Sequence, residues 1–330
     1  MRVNAPRPTS RSSFESTRAL RPVLLLFIGI SLIAYLVRRT DPSQVWGALE
    51  RAGVWLPLLA ALEALLLLTD TAAFASLIAS ARAISVRGWL RSSAASYVCL
   101  VLLPAGRAVG EAARVALATP YTGAGHAVAA GAELQAVALI ADGLVSFAAA
   151  CVVFNFLGAA QHLTVALFAN GWLVSAAGFA LLYLMRSPSA GAWILRRMPT
   201  LGRFRPDAES VPRGSTWNAA AWSVLGRGLQ VVQYGIAIFA VGGVFTVKSA
   251  FVAHGIHMVG ATAGVAMPNQ VGIADAAYVV FAGILGFRNE PARALAAMLS
   301  VRCAQLLLAS VCFSVVAFVR EPSPKPSPIG

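Results

Sequence analysis

Residues 104–114 read Pro104-Ala-Gly-Arg-Ala-Val-Gly-Glu-Ala-Ala-Arg114, in the middle of an apolar region running from Arg91 to Thr119. Pro104 and Gly106 interrupt a helix there, because proline removes a backbone donor and clashes with the preceding turn. A helix restarting after the break carries Arg107, Glu111 and Arg114 on one face, since their spacings are four and three. A second stretch, Pro268-Asn-Gln-Val-Gly-Ile-Ala-Asp275-Ala-Ala, aligns with the first without gaps and breaks the apolar region from Ser249 to Gly286. Each places an acid seven residues after a proline and just before two alanines.

Outward from these two breaks the chain is strongly apolar. Of its 330 residues 58% are hydrophobic and 12% charged, against about a quarter charged in soluble domains. That balance excludes a soluble, disordered, fibrous or disulfide-stapled protein. Runs of membrane-spanning length begin with Val23 to Val37 and continue at Val54 to Ser80, Ala127 to Leu157, Leu163 to Met185, Trp217 to Val241 and Ala294 to Val319. No small-residue cleavage site follows the first run, so it is expected to stay as a membrane helix. Cys99, Cys151, Cys303 and Cys312 all fall inside apolar segments and read as small hydrophobes.

The net charge of +13 is almost all arginine, and its distribution decides how the broken regions are counted, because cytoplasmic loops keep an excess of Lys and Arg. If every apolar region crossed once, the connector bearing Arg186, Arg196, Arg197, Arg203, Arg205 and Arg213 would lie outside. If the region around Pro104 enters and leaves by one face, that connector returns inside, with sixteen basic residues inside, six outside and four within the membrane. No basic surface for nucleic acid is left over. The expected fold is therefore an all-α polytopic membrane protein: six full spans and two broken re-entrant hairpins, in two inverted halves of about 23–158 and 159–319. A basic cytoplasmic N-terminus (1–22) and a Pro-rich cytoplasmic tail (320–330) flank this domain, and the bacterial inner membrane is the expected location.

Ten charges fall inside these segments: Glu63, Asp70, Glu111, Glu133, Asp142, Asp275, Arg107, Arg114, Arg227 and Arg302. At about 2.5–3.5 kcal/mol for each at a helix centre, they must be paired, near an interface, protonated or in a wet cavity. Two readings of Arg107, Glu111 and Arg114 stand open. In one they form an anionic headgroup site at a helix N-terminus, with Arg107 and Arg114 on the phosphate and Glu111 fixing their geometry. In the other they are a salt bridge that locks the hairpin. Asp275 has Arg302 or Arg227 as possible partners. Asp142 and Glu133, nine apart, face different directions, whereas Glu63 and Asp70, seven apart, share a face. Glu63, Asp70 and Asp142 are the candidates for proton-linked acids. Pro104, Gly106, Gly110, Pro268, Asn269, Gln270 and Gly272 shape the breaks.

His254 and His257 share a helical face, but no third ligand nearby completes a zinc set, and no metal or cofactor is expected. Motifs of hydrolases, metalloproteases and phosphate-loop enzymes are absent from the sequence.

The stretch from Pro104 to Arg114 resembles the flippase-like membrane region of lysylphosphatidylglycerol synthases and their stand-alone relatives. Pro268 to Ala276 is similar to that family's late Pro-Gly-Gly-x-Gly-x-x-Glu-Ala, and Arg302 fits its late arginine. Here Asn269 and Gln270 replace two glycines, Asp275 replaces glutamate, and Leu139-Ile140 replaces a Glu-Arg pair. The resemblance implies the membrane part alone, without the soluble aminoacyl transferase domain, so no enzyme activity is expected. It implies a lipid translocase or lipid-handling protein in which Arg107, Glu111, Arg114, Asp275 and Arg302 meet an anionic phospholipid or lipid-linked headgroup. The alternatives are a secondary transporter of a small organic anion, with protons taken by Glu63 or Asp70, and a non-catalytic subunit of a lipid- or glycan-synthesis enzyme.

Overall fold

The computed structural model describes residues 12–78, 81, 84–158, 162–187, 196–197 and 213–319. The N-terminal residues to 11, Arg82, most of the arginine-rich connector and the tail from 320 lie outside them, so the charge balance between the two faces rests on sequence.

The described residues form eleven helices and no strand. In chain order they are α1 (Ser12–Arg39), α2 (Pro42–Gly53), α3 (Leu56–Leu77), α4 (Val86–Leu102), α5 (Gly106–Thr122), α6 (Ala124–Leu157), α7 (His162–Arg186), α8 (Arg213–Ala240), α9 (Val247–Ala263), α10 (Ile273–Val280) and α11 (Pro291–Phe318), with a 3₁₀ turn at Pro268–Gln270. Helices α3, α6, α7 and α11 are long and apolar enough to cross a membrane. Helix α8 is as long as α11 but carries Arg227, Gln230 and Gln233 along its length. The short helix α2 falls in what the sequence presents only as a connector. Proline at its start and Asp41, which accepts from the Ser43 backbone N–H at 3.0 Å, explain its beginning. It buries Val45, Ala48 and Ala52 and leaves Trp46 exposed.

Both breaks carry a left-handed residue directly after the proline. Leu103, before Pro104, is extended, as a residue preceding proline prefers, and Ala105 then takes φ +51°. In the second break Asn269, the residue that aligns with Ala105, takes φ +44°. Left-handed backbone is unfavourable for a residue with a Cβ, so both tips are held by their surroundings. The first tip is clamped between the arms. A Cβ on Gly106 would lie 2.1 Å from the Leu100 carbonyl oxygen, and one on Gly110 2.6 Å from that of Ser96. This Gly-x-x-x-Gly face lets α4 and α5 touch backbone to backbone, which suits an environment where close packing rather than water drives helices together.

Long helices enclose the hairpins. Helix α3 packs on α8, α6 on α8 and α9, and α11 on α3 and α4. The largest apolar cluster unites Leu59 of α3, Ala149 of α6, Leu167 of α7, Tyr234 of α8, Ile256 of α9 and Val301 of α11. These helices leave a space between the two hairpins, and most of the intramembrane charges gather there.

Candidate functional site

A cavity of about 980 Å³ opens between the hairpins. Helix α3 contributes Glu63 and Asp70, α5 contributes Arg107, Glu111 and Arg114, α6 Asp142, and α8 Arg227. The tip residues Asn269 and Gln270 and Gln305 of α11 close its other side. The volume is that of a pocket for a drug-sized ligand.

The charges fall into two clusters of opposite excess. Asp142 is shared by two arginines: Arg107 reaches its Oδ2 at 2.9 Å and Arg227 its Oδ1 at 2.5 Å. Arg114 lies between two acids, with Asp70 hydrogen-bonded to one nitrogen and Glu111 at 3.3 Å from another. It also stacks over Phe74 at 5.6 Å. With every group ionised the first cluster carries one surplus positive charge and the second one surplus negative charge. Their accessibility differs too, because the Arg114 side chain is 2% exposed and that of Arg107 39%. Arg107 is thus the accessible cation of α5, and Arg114 is enclosed by its partners.

Asp275 and Arg302, predicted for the same headgroup site, form a separate assembly behind the second tip. Arg302 Nε donates to Asp275 Oδ1 at 2.8 Å, and its terminal nitrogens donate to the carbonyls of Asn269 at 2.8 Å and Gln270 at 3.3 Å. Asp275 Oδ2 accepts from the Gly272 N–H at 2.7 Å. One ion pair thereby satisfies the orphan donor at the start of α10 and the orphan acceptors of the turn before it. Asp275 is fully buried. Neither side chain lines the described cavity.

The other acids divide as their spacing suggests. Glu133 faces away from Asp142 and binds Arg186 and Thr216. Glu63 does line the cavity, and its partners are neutral: Tyr97 Oη donates to Oε1 at 2.9 Å and Gln233 Nε2 to Oε2 at 2.7 Å. His254 and His257 also border it, with the His257 ring stacked on Tyr234 at 4.6 Å between centroids. No group of three potential metal ligands exists among the described residues.

Arg227 and Gln305 are among the cavity residues that sequence reasoning missed as site groups. Arg227 has the signal of an intramembrane charge, but nothing local shows that α8 delivers it to Asp142 of α6. The family model for the lysylphosphatidylglycerol synthase TM region matches residues 23–312. The chain belongs to that family. It is an integral membrane protein of a lipid-related family. No curated protein and no solved structure matches it.

Proposed function

We propose that this member of the lysylphosphatidylglycerol synthase TM family is a lipid translocase, in which a phosphate-bearing headgroup passes through the charged cavity while the acyl chains stay in the bilayer. The observation that carries this reading is the collection of charges from α3, α5, α6 and α8 in one cavity beside both broken helices. Such an arrangement is expensive in lipid unless something polar uses it. Arg107 and Arg227 hold the phosphate from the Asp142 side, because that cluster has the surplus positive charge and the accessible guanidinium. Arg114 positions Asp70 and Glu111, whose surplus negative charge suits an amino group on the same headgroup. Asp275 and Arg302 act one step back, by fixing the tip that forms the opposite wall.

In this reading the hairpins are re-entrant and the halves inverted. Helices α4 and α5 have 17 residues each, roughly 25 Å at 1.5 Å per residue, less than the ~30 Å hydrocarbon core. The left-handed Ala105 and Asn269 at matching positions support a common ancestral unit. So does the packing, in which α6 meets α8 and α9 while α11 meets α3 and α4. With the connector inside, both termini face the cytoplasm.

Reconstitution into liposomes with fluorescent phospholipids and a membrane-impermeant quencher tests the proposal. Wild-type protein should exchange labelled lipid between leaflets, and Arg107→Ala and Arg227→Ala should each reduce the rate at least tenfold. Equal rates for wild type, both variants and protein-free vesicles would sink it. Uptake of a small organic anion by the same vesicles would favour the solute transporter, and co-purification of a synthesis enzyme the scaffold.

A further inference from the structure

Of the ten charges in the apolar segments, nine sit in ion pairs: Arg107 and Arg227 with Asp142, Arg114 with Asp70 and Glu111, Arg302 with Asp275, and Glu133 with Arg186. Glu63 is the exception. Among the described residues no cation lies within ion-pair distance of it, yet it is 5% exposed and borders the cavity. As a carboxylate it would be an unbalanced charge in a span, which the hydrocarbon core strongly disfavours. As a neutral acid it would sit there comfortably.

Every element packed around Glu63 leaves both states available. On α4, Tyr97 holds Oε1 through a hydroxyl, which can donate to a carboxylate or accept from a carboxylic acid by turning its own hydrogen toward the cavity. On α8, Gln233 donates to Oε2 in either state, with its other contact on the Leu59 carbonyl at 3.2 Å. Tyr234 of α8 lies beside Glu63 and Cys312 of α11 beside Tyr97, while His254 and His257 of α9 lie against Tyr234, and none of them forms an ion pair with Glu63. Arg227 and Arg302, whose charges act on Tyr234, are each taken up by an aspartate. So is the acid of α6, Asp142, by its two arginines.

A chain of contacts leads from this carboxyl to the second tip. Gln305 of α11 also faces Glu63, and its Oε1 accepts from Asn269 Nδ2 at 2.9 Å. Asn269 is the left-handed tip residue whose carbonyl Arg302 holds. The charge state of Glu63 therefore bears on the side chain that ties α11 to the second tip. The other two candidate acids lack this position, since Asp70 is bound to Arg114 and Asp142 is fixed from both sides.

We propose that Glu63 is the proton-carrying residue of this protein: it takes a proton from water on one side of the membrane, becomes a neutral acid while the cavity is closed, and returns the proton to water on the other. This rests on the translocase reading for its transport consequence but not for the proton exchange itself. One proton enters and the same proton leaves, with Tyr97 reversing its hydrogen bond at each step.

Two measurements test it. In voltage-clamped liposomes, lipid exchange by wild type should change several-fold when a pH gradient is imposed, and Glu63→Gln should run at one rate with or without the gradient. A wild-type rate indifferent to the gradient, or a Glu63→Gln variant that still answers it, overturns the proposal while leaving the translocase reading intact. Infrared difference spectra of purified protein across a pH step supply the second readout. A protonated-carboxyl C=O band that depends on pH, vanishes in Glu63→Gln and shifts in Tyr97→Phe upholds the proton exchange even if no lipid moves. Without such a band in wild type the proposal falls.

Discussion

Replacing Arg302 with methionine tests the way the second tip is held. Methionine keeps much of the length and the apolar stem but removes the hydrogen bond to Asp275 and those to the carbonyls of Asn269 and Gln270. Asp275, fully buried and with Gly272 N–H as its other partner, is then an uncompensated charge. Removing one member of a buried pair costs about 3–5 kcal/mol. The freed carbonyls add less than their usual penalty, because Asn269 and Gln270 border the cavity and can be rehydrated. A total of about 3–5 kcal/mol is a large share of a stability of roughly 5–15 kcal/mol. Asp275→Asn retains an oxygen for the Gly272 N–H, so the double variant Asp275→Asn/Arg302→Met carries no buried charge and should lose only about 1–2 kcal/mol. The cycle thus gives a coupling of at least ~1 kcal/mol, before any cost of Asp275→Asn alone is counted. Reversible SDS unfolding in mixed micelles, followed by tryptophan fluorescence, measures all four proteins. A loss below about 1 kcal/mol for Arg302→Met, or a double variant no more stable than that single one, would refute the argument that charge compensation holds this tip.

Other expectations follow from the same contacts. Gly110→Leu places a side chain where Ser96 oxygen lies 2.6 Å from the new Cβ, and should cost about 1–3 kcal/mol by forcing the hairpin arms apart; SDS unfolding reads it, and an unchanged midpoint would count against the close crossing. Single cysteines at Val86, the open end of α4, and at Ala124, just past the open end of α5, should react with an impermeant thiol reagent from the cytoplasmic face alone, and labelling from opposite faces would make the region a full span. Hydrogen bonds from Ser43 and Gln44 hold the Asp41 carboxyl below the ordinary carboxylate range. Its cap on α2 is therefore complete above that range and lost as pH falls through the lowered value. Ser43 amide exchange, corrected for its intrinsic pH dependence, should lose protection only in strong acid, and protection that is independent of Asp41→Ala would show the cap to be idle.

The parts of this fold legible in the sequence are those set by local rules. Apolar length marks α3, α6, α7 and α11, and Pro104 with Gly106 and Pro268 with Asn269 and Gln270 mark the two breaks. A gapless ten-residue alignment already pairs Ala105 with Asn269, which proves to be a pairing of left-handed residues. Helix α2 was illegible for a local reason as well: with 12 residues and one buried face it is too short and too polar to register as a span.

Charge pairing is another matter, because it depends on which helices become neighbours. Spacing along α5 correctly puts Arg107, Glu111 and Arg114 on one side, but it suggests a triad in which one acid serves two arginines. The fold splits this triad: Arg107 goes across to Asp142 of α6, while Arg114 keeps Glu111 at 3.3 Å and hydrogen-bonds Asp70 of α3. An intrahelical pair at three or four residues is worth only about 0.2–0.5 kcal/mol, whereas an uncompensated charge in a span costs several times more. A charge left over on a neighbouring helix therefore wins over an intrahelical contact whenever the packing brings the two together. The same inequality gives the exception its meaning. Six acids and four arginines cannot pair one to one, and Arg186 from the end of α7 supplies a fifth cation. The sixth acid must be shared, solvated or neutral. Asp70 and Glu111 share Arg114, Asp142 draws on two arginines, and this asymmetric division leaves Glu63 with hydroxyl and amide partners only. A fold that needed merely to neutralise its acids would have given Arg107 or Arg227 to Glu63, rather than placing both on Asp142.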